Sequence, residues 1–200
     1  MNMIELTGAD IGSPVLKGSA AKVADGYDIV AGGEDIWLSN DQCHFAYLKH
    51  TGNFEFTVRM ESLELVHPYT KSGIMARPDL DADGQHIFFL AFPDNRERNH
   101  NNGGYEFQSR DQKGADCQAV YPPDYTTEPP MFPVSYPNTW MKLIRAGDTF
   151  ESYYSNNGTD WILYNRYQLA LDAKLLVGLA VTSHESNQTA LAKFREMEFK

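Results

Sequence analysis

The chain has few of the residue patterns that most site chemistries need. It has only two cysteines, and its six histidines are scattered without His-x-His or His-Glu-x-x-His spacing, so a zinc site is not expected. There is no Gly-x-Ser-x-Gly elbow and no evident Cys–His pairing for a nucleophile. There is no basic block either. Lys and Arg number 17 against 27 Asp and Glu, a formal charge of −10, which argues against nucleic acid and anionic membranes as partners. No apolar run is long enough to cross a bilayer, and the opening "MNMIELTGADIG" lacks the basic and apolar regions of a leader. The expectation is a cytoplasmic protein, or a mature form whose leader has been removed. Cys43 and Cys117 are too few to indicate a compartment. Cys43, in the alternating run "CHFAYLKH", reads as a buried thiol.

A sustained helical stripe is also missing, and strands take its place. In "NFEFTVRME", Phe54, Phe56, Val58 and Met60 share one face while Glu55, Thr57, Arg59 and Glu61 share the other. "SGIMARP", "HIFFLAFP", "GGYEFQSR", "TWMKLIRAG" and "TFESYYS" follow, each closed by a turn-forming residue. "KLLVGLAVTSH" is apolar on both faces and reads as a central strand. In "ALAKFREMEFK", Met197 and Phe199 are out of phase with Ala190, Ala192 and Phe194, so a one-residue bulge is predicted near Arg195-Glu196. These features predict an all-β chain, one domain over 1–200, built as two packed antiparallel sheets.

Two segments depart from the strand rhythm. Tyr121–Pro137 holds six of the ten prolines together with four aromatics, and reads as a long ordered loop packed over the sandwich. "YYSNNGTDWILY" offers Asn157-Gly158 for a tight hairpin turn. It resembles the Asp-box hairpin of carbohydrate-active β-proteins, with Asn157 in place of the usual Asp, and that resemblance implies that Trp161 lies in the core.

Four stretches carry a wider resemblance: "GGEDIWLSNDQCHFAYLKHTGNFEFTVRME", "KSGIMARPDL", "NTWMKLIRAGDTFESYYSNNGTDW" and "VGLAVTSHES" with "ALAKFREMEF". In this order they resemble a family of bacterial concanavalin A-like domains, related to laminin-G-type jelly rolls and often found beside carbohydrate-active proteins. The resemblance covers roughly Gly12 to Phe199 and implies a jelly-roll sandwich. It implies little about activity, because this fold hosts lectins, hydrolases, lyases and structural domains. Retaining glucanases on the fold carry Glu-x-Asp-x-x-Glu on one strand face, with carboxyls about 5–5.5 Å apart. That motif is absent here. Glu61-x-x-Glu64 lacks the middle carboxylate, and Gln108 stands between Glu106 and Asp111.

The leading expectation is therefore a non-catalytic glycan- or polysaccharide-binding domain. The alternatives are a glycosidase or lyase, with His86, Arg77, Glu106 and Asp94 as first suspects, and an interaction module related to enolase-regulating proteins. The candidate ligand-binding set is Arg77, His86, Tyr105, Gln108, Asn95 and Trp37. Polar residues recur on strands otherwise able to be apolar, beside the Asn-rich segment Asn95–Gly104. Sugars are held by aromatic faces and by bidentate amide or guanidinium contacts. A buried Arg77 without a partner would be very costly, so it must pair with a carboxylate or face a cleft. In "GGEDIWLSNDQCHF", Asp35, Trp37, Asp41 and His44 surround a turn, and Gly32-Gly33 implies a close backbone approach. Calcium is the one cofactor left open. Asp79, Asp81 and Asp83 have the spacing of half an EF-hand loop, but Leu90 stands where the closing Glu belongs.

Overall fold

Period-two alternation becomes strand almost wherever the sequence carries it. The computed structural model describes residues 4–94, 104–121 and 134–200, and contains no helix among them. One seven-stranded antiparallel sheet has the order β1 (Thr7–Ile11), β6 (Cys43–Thr51), β15 (Lys174–Thr182), β8 (Lys71–Arg77), β9 (His86–Ala91), β10 (Tyr105–Arg110), β11 (Gln118–Val120). The second, also seven-stranded, has the order β14 (Ile162–Gln168), β13 (Thr149–Ser155), β12 (Thr139–Ala146), β7 (Phe54–Leu63), β16 (Glu185–Phe199), β3 (Gly26–Gly33), β2 (Ser19–Val23). A small hairpin, β4 (Ile36–Trp37) and β5 (Asn40–Asp41), stands apart from both. The result is a jelly-roll sandwich of concanavalin A type.

The apolar face of every long strand turns inward. Phe54, Phe56, Val58 and Met60 of β7 meet Ile74 and Ala76 of β8, Phe89 of β9 and Val177 and Leu179 of β15 in one core between the sheets. Each such side chain contributes about 1.5–3 kcal/mol of burial. β15 is flanked by β6 and β8 and is buried from Leu175 to Thr182, as its two apolar faces predict. The second apolar face has its own cover. Phe45, Tyr47, Met75, Phe88, Leu90 and Phe92, on the outside of the first sheet, pack with Ile36 of the hairpin and with Leu80 and Ala82.

Gly33 makes that cover reachable. Its φ is +121°, and a Cβ there would lie 2.2 Å from the Gln42 carbonyl oxygen. Only glycine lets the chain leave β3 this close to the returning hairpin.

The bulge in β16 is where the hydrophobic phase shift requires it. Arg195 pairs with Arg59 and Glu198 with Thr57, so one extra residue is accommodated between them, and Glu196 takes a φ of 52°. Met197 and Phe199 thereby pack against the main core. Trp161 does not follow the Asp-box expectation. The turn itself forms, with Asn157 Oδ1 accepting from the backbone N–H of Thr159 and of Asp160, both at 2.9 Å. Trp161, however, stays half-buried outside the core, with Lys142 Nζ 4.0 Å from its ring centre. Strand β12 turns Met141 and Leu143 inward, which leaves Trp140, Lys142 and Ile144 on the outside. Of the proline-rich segment, residues 122–133 lie outside the described residues. Its C-terminal end is held, Val134 in the core and Tyr136 by an O–H donated to the Phe92 carbonyl at 2.8 Å.

Deleting Glu196 is expected to abolish the bulge and put Met197 and Phe199 in regular phase with Phe194, so both stay on the core face and urea unfolding shows a loss below about 2 kcal/mol. Glu196→Gly keeps the bulge and should cost less than about 1 kcal/mol, since glycine accepts the positive φ.

Candidate functional site

On the outer face of the first sheet, strand parity aligns Lys71, Met75 and Arg77 of β8 with His86, Phe88 and Leu90 of β9 and Glu106, Gln108 and Arg110 of β10. The hairpin β4–β5 lies across this row. At one end of the row it is locked down by ions, and at the other it walls a groove.

The lock centres on Asp41, which is fully buried. Arg110 grips both its oxygens, Nη2 to Oδ1 at 2.7 Å and Nη1 to Oδ2 at 2.9 Å. Arg77 Nη1 reaches Oδ2 at 3.2 Å, and His86 Nδ1 lies 3.4 Å from the same oxygen. Burial disfavours the charge on Asp41, but His86, Arg110 and Arg77 outweigh it and hold the carboxyl well below the usual range. His86 is pushed the other way. Its complete burial, with two guanidiniums nearby, outweighs Asp41 and favours the neutral ring. The remaining guanidinium donors go to carbonyls of the covering loops: Arg77 to Asp79 and Asp81, Arg110 to Leu38, Gly84 and Ala115. Asp41, His86 and Cys117 place ligand-type atoms within 4.8 Å of one another, yet the carboxylate already has two guanidiniums as counter-ions. Neither cysteine is in a disulfide, and burial raises the Cys117 thiol to about 12.

The groove holds about 300 Å³. Its floor is Glu106 and Gln108 of β10 with Lys71 of β8, and Phe92 closes one side. Trp37 and Asp35 come from the hairpin, Tyr69, Tyr121 and His184 from loops. Lys71 Nζ donates to Asp35 Oδ1 at 2.6 Å and to the Ile36 carbonyl at 3.0 Å, tying wall to floor. It also lies 5.4 Å from the Trp37 ring centre. His184, at a φ of 62°, stacks on His67 with centroids 4.3 Å apart and brings Nδ1 within 3.3 Å of Asp35. The two carboxyls are driven apart. Burial raises the pKa of Glu106 despite Lys71, whereas at Asp35 burial is overcome by His184 and Lys71 and the pKa falls. Gln108, with no solvent exposure, donates Nε2 to Glu106 and leaves Oε1 without any partner.

The sequence-predicted set divides. Trp37 and Gln108 line the groove, as does Glu106. Arg77 and His86 do not, because both are fully buried around Asp41 under the hairpin, where the Arg77 charge and the His86 ring nitrogen already face its carboxylate. Of the two alternatives for Arg77 it is the carboxylate partner that is found, so Arg77 is a structural residue and not part of the groove lining. Tyr105 also misses the groove. It points into the core between the sheets, stacks on Phe89 at 5.6 Å and on Tyr154 at 5.0 Å, and donates its hydroxyl to the Trp140 carbonyl. Parity alone separates it from Gln108. Asn95 and most of its amide-rich segment lie outside the described residues, and Asp94 is exposed at their edge. Asp79 and Asp81 form a polar turn in which Asp79 Oδ1 accepts from the Asp81 N–H and Asp81 pairs with Lys113. Sequence reasoning missed Lys71, whose signal was a second cation on the face of β8 that carries Arg77. It also missed Tyr69 and His184, which carried no signal.

Asp41→Asn should cost about 3–5 kcal/mol, since it leaves two buried guanidiniums without their carboxylate. Because the folded pKa is depressed, the parent keeps this stabilisation above the ordinary aspartate value of about 4 and loses it as pH falls below. The acid limb of a urea-midpoint-versus-pH curve should therefore flatten in the variant. Glu106 has the opposite sign. As pH rises from about 4.3 through its raised folded value, the folded state keeps a proton that the unfolded chain has lost, and stability declines. Glu106→Gln should remove that slope and be the more stable protein at alkaline pH.

No curated protein sequence matches the chain. Among solved structures it is similar to a functionally unknown protein from Saccharomyces cerevisiae, at TM-score 0.69 and 16% identity over 96% of this chain and 95% of that one. It is similar to a xylan beta-1,4-xylosidase from Bacillus halodurans, at TM-score 0.57 and 13% identity, where all of this chain covers 40% of the enzyme. It is also similar to a seed lectin from Lotus tetragonolobus, at TM-score 0.52 and 12% identity over 98% and 97% of the two chains. At these identities the likeness is one of fold. Residues 13–200 match the model of a family described as a protein of unknown function, DUF1349, and the chain belongs to that family.

Proposed function

We propose that the chain is a carbohydrate-binding module whose ligand lies in the groove between the β4–β5 hairpin and strands β8 and β10. One observation carries this reading. Gln108 is fully buried at the groove floor with an amide oxygen that has no partner. Whichever way the amide is turned, one of its polar atoms is left for a ligand hydroxyl, and a buried polar group without a partner costs about 1–3 kcal/mol until something binds it. Trp37 supplies an aromatic wall of the kind that packs on the C–H face of a sugar. The ligand is uncharged. Lys71 neutralises Asp35, burial raises the pKa of Glu106 and so disfavours its charge, and the net charge of −10 repels polyanions.

A second reading, glycoside hydrolysis, has one observation in its favour: the groove pairs a carboxyl that favours its proton, Glu106, with one that favours ionisation, Asp35. A glycosidase needs that division between acid and carboxylate. Release of reducing ends from neutral polysaccharides separates the two readings. Under hydrolysis, Glu106→Gln abolishes release while the sugar still binds. Under the binding reading the parent releases nothing.

Calorimetric titration of Trp37→Ala and Gln108→Ala with neutral saccharides should show each losing at least about tenfold in affinity, or 1.4 kcal/mol. Their unfolding midpoints should stay close to the parent's. Binding as tight as the parent's in both variants would remove the groove from consideration.

A further inference from the structure

Beyond the groove, on the other side of Trp37, lies a second depression of about 280 Å³. It shares Asp35 and Trp37 with the first, and is completed by Leu38, Ser39 and Asn40 at the hairpin tip and by Glu34 and Gln42 at its base. The two are therefore neighbours across one indole. Their linings differ. The first is floored by ionisable groups on strands, whereas the second gathers the hydroxyl and amide side chains of Ser39, Asn40 and Gln42 around a tight turn, with the exposed Glu34 at its margin.

The tip is held in an unfavourable conformation. Trp37 pairs with Asn40, so Leu38 and Ser39 form a two-residue turn, and Leu38 takes a φ of 45°. Glycine is the residue that suits such a first turn position, and a γ-branched side chain is disfavoured there. The Leu38 side chain is also 59% exposed, so packing does not compensate the strain. What maintains the conformation is its carbonyl, which accepts from Arg110 Nη2 and from the Cys117 N–H, both at 2.9 Å. The ion lock thus presents an exposed leucine next to the half-buried indole of Trp37, with Ser39, Asn40 and Gln42 lining the same depression. Strain that the surrounding structure holds in place, with no packing of the side chain in return, is characteristic of binding sites.

We infer that the hairpin tip is a second sugar subsite, and that the ligand is a neutral oligosaccharide of at least two rings running from the groove across Trp37 onto Leu38 and Asn40. This rests on the carbohydrate-binding reading above. In it, Leu38 covers the apolar face of the outer ring, and Ser39 and Asn40 meet its hydroxyls. The inner ring occupies the groove over Gln108.

The test is a calorimetric titration with xylo- and cello-oligosaccharides of one to five residues, using the parent, Leu38→Gly and Asn40→Ala. For the parent, affinity should climb at least about tenfold between the monosaccharide and a longer member of the series that binds. Both variants should bind the monosaccharide as the parent does and lose most of the gain with length. Leu38→Gly should at the same time raise the unfolding midpoint by relieving the turn, so weaker binding cannot be attributed to poorer folding. A parent that binds monosaccharide and pentasaccharide equally, or variants that keep the full gain, overturns the second subsite and leaves the groove standing. Failure of every member to bind the parent overturns both.

Discussion

A single buried carboxylate decides how the outside of the first sheet is organised. Asp41 sits at the foot of the β4–β5 hairpin with no access to solvent, and its charge is tolerable only because Arg110 and Arg77 meet it from strands β10 and β8. A fully apolar packing could be as stable, since burying ions is itself costly. What the ions add is position. Two forked guanidiniums fix where the hairpin lies over the sheet, and their remaining donors fix the loops on either side of it.

The groove follows from that placement. Trp37 and Asp35 are hairpin residues, and they form a wall only because the hairpin cannot slide. Lys71 makes the second attachment, from the strand that also carries Arg77, so β8 holds the hairpin at both ends. The same bond neutralises Asp35. Between the two attachments the sheet face is apolar, with Phe88 and Leu90 under Ile36. Polar residues on the outer face therefore serve two separate purposes, one structural and one exposed.

That division explains why fold and function separate in this molecule. The inter-sheet core fixes the sandwich, a fold similar to that of a lectin and of part of a xylosidase of low identity. The hairpin and the short segment after β8 fix what the sandwich presents. A jelly roll without the Asp41 lock would retain its core and lose the wall.

The sequence by itself determined the sandwich. Side-chain alternation has a period of two, and burial on one face makes that period visible, so Phe54–Met60, the doubly covered β15 and even the bulge beside Glu196 were legible. It also determined that Tyr105 and Gln108 face opposite ways, because neighbours three apart on one strand differ in parity. It did not determine which polar residues are free to meet a ligand. Arg77, His86, Glu106 and Gln108 all lie on the outward face, and nothing local distinguishes them. Only tertiary structure brought Asp41, 36 residues before Arg77, into contact with it, and so placed Arg77 and His86 under the hairpin while leaving Gln108 beyond its edge. Pairing between charges distant in the chain depends on how the strands are ordered in the sheet, and that order has no period to read.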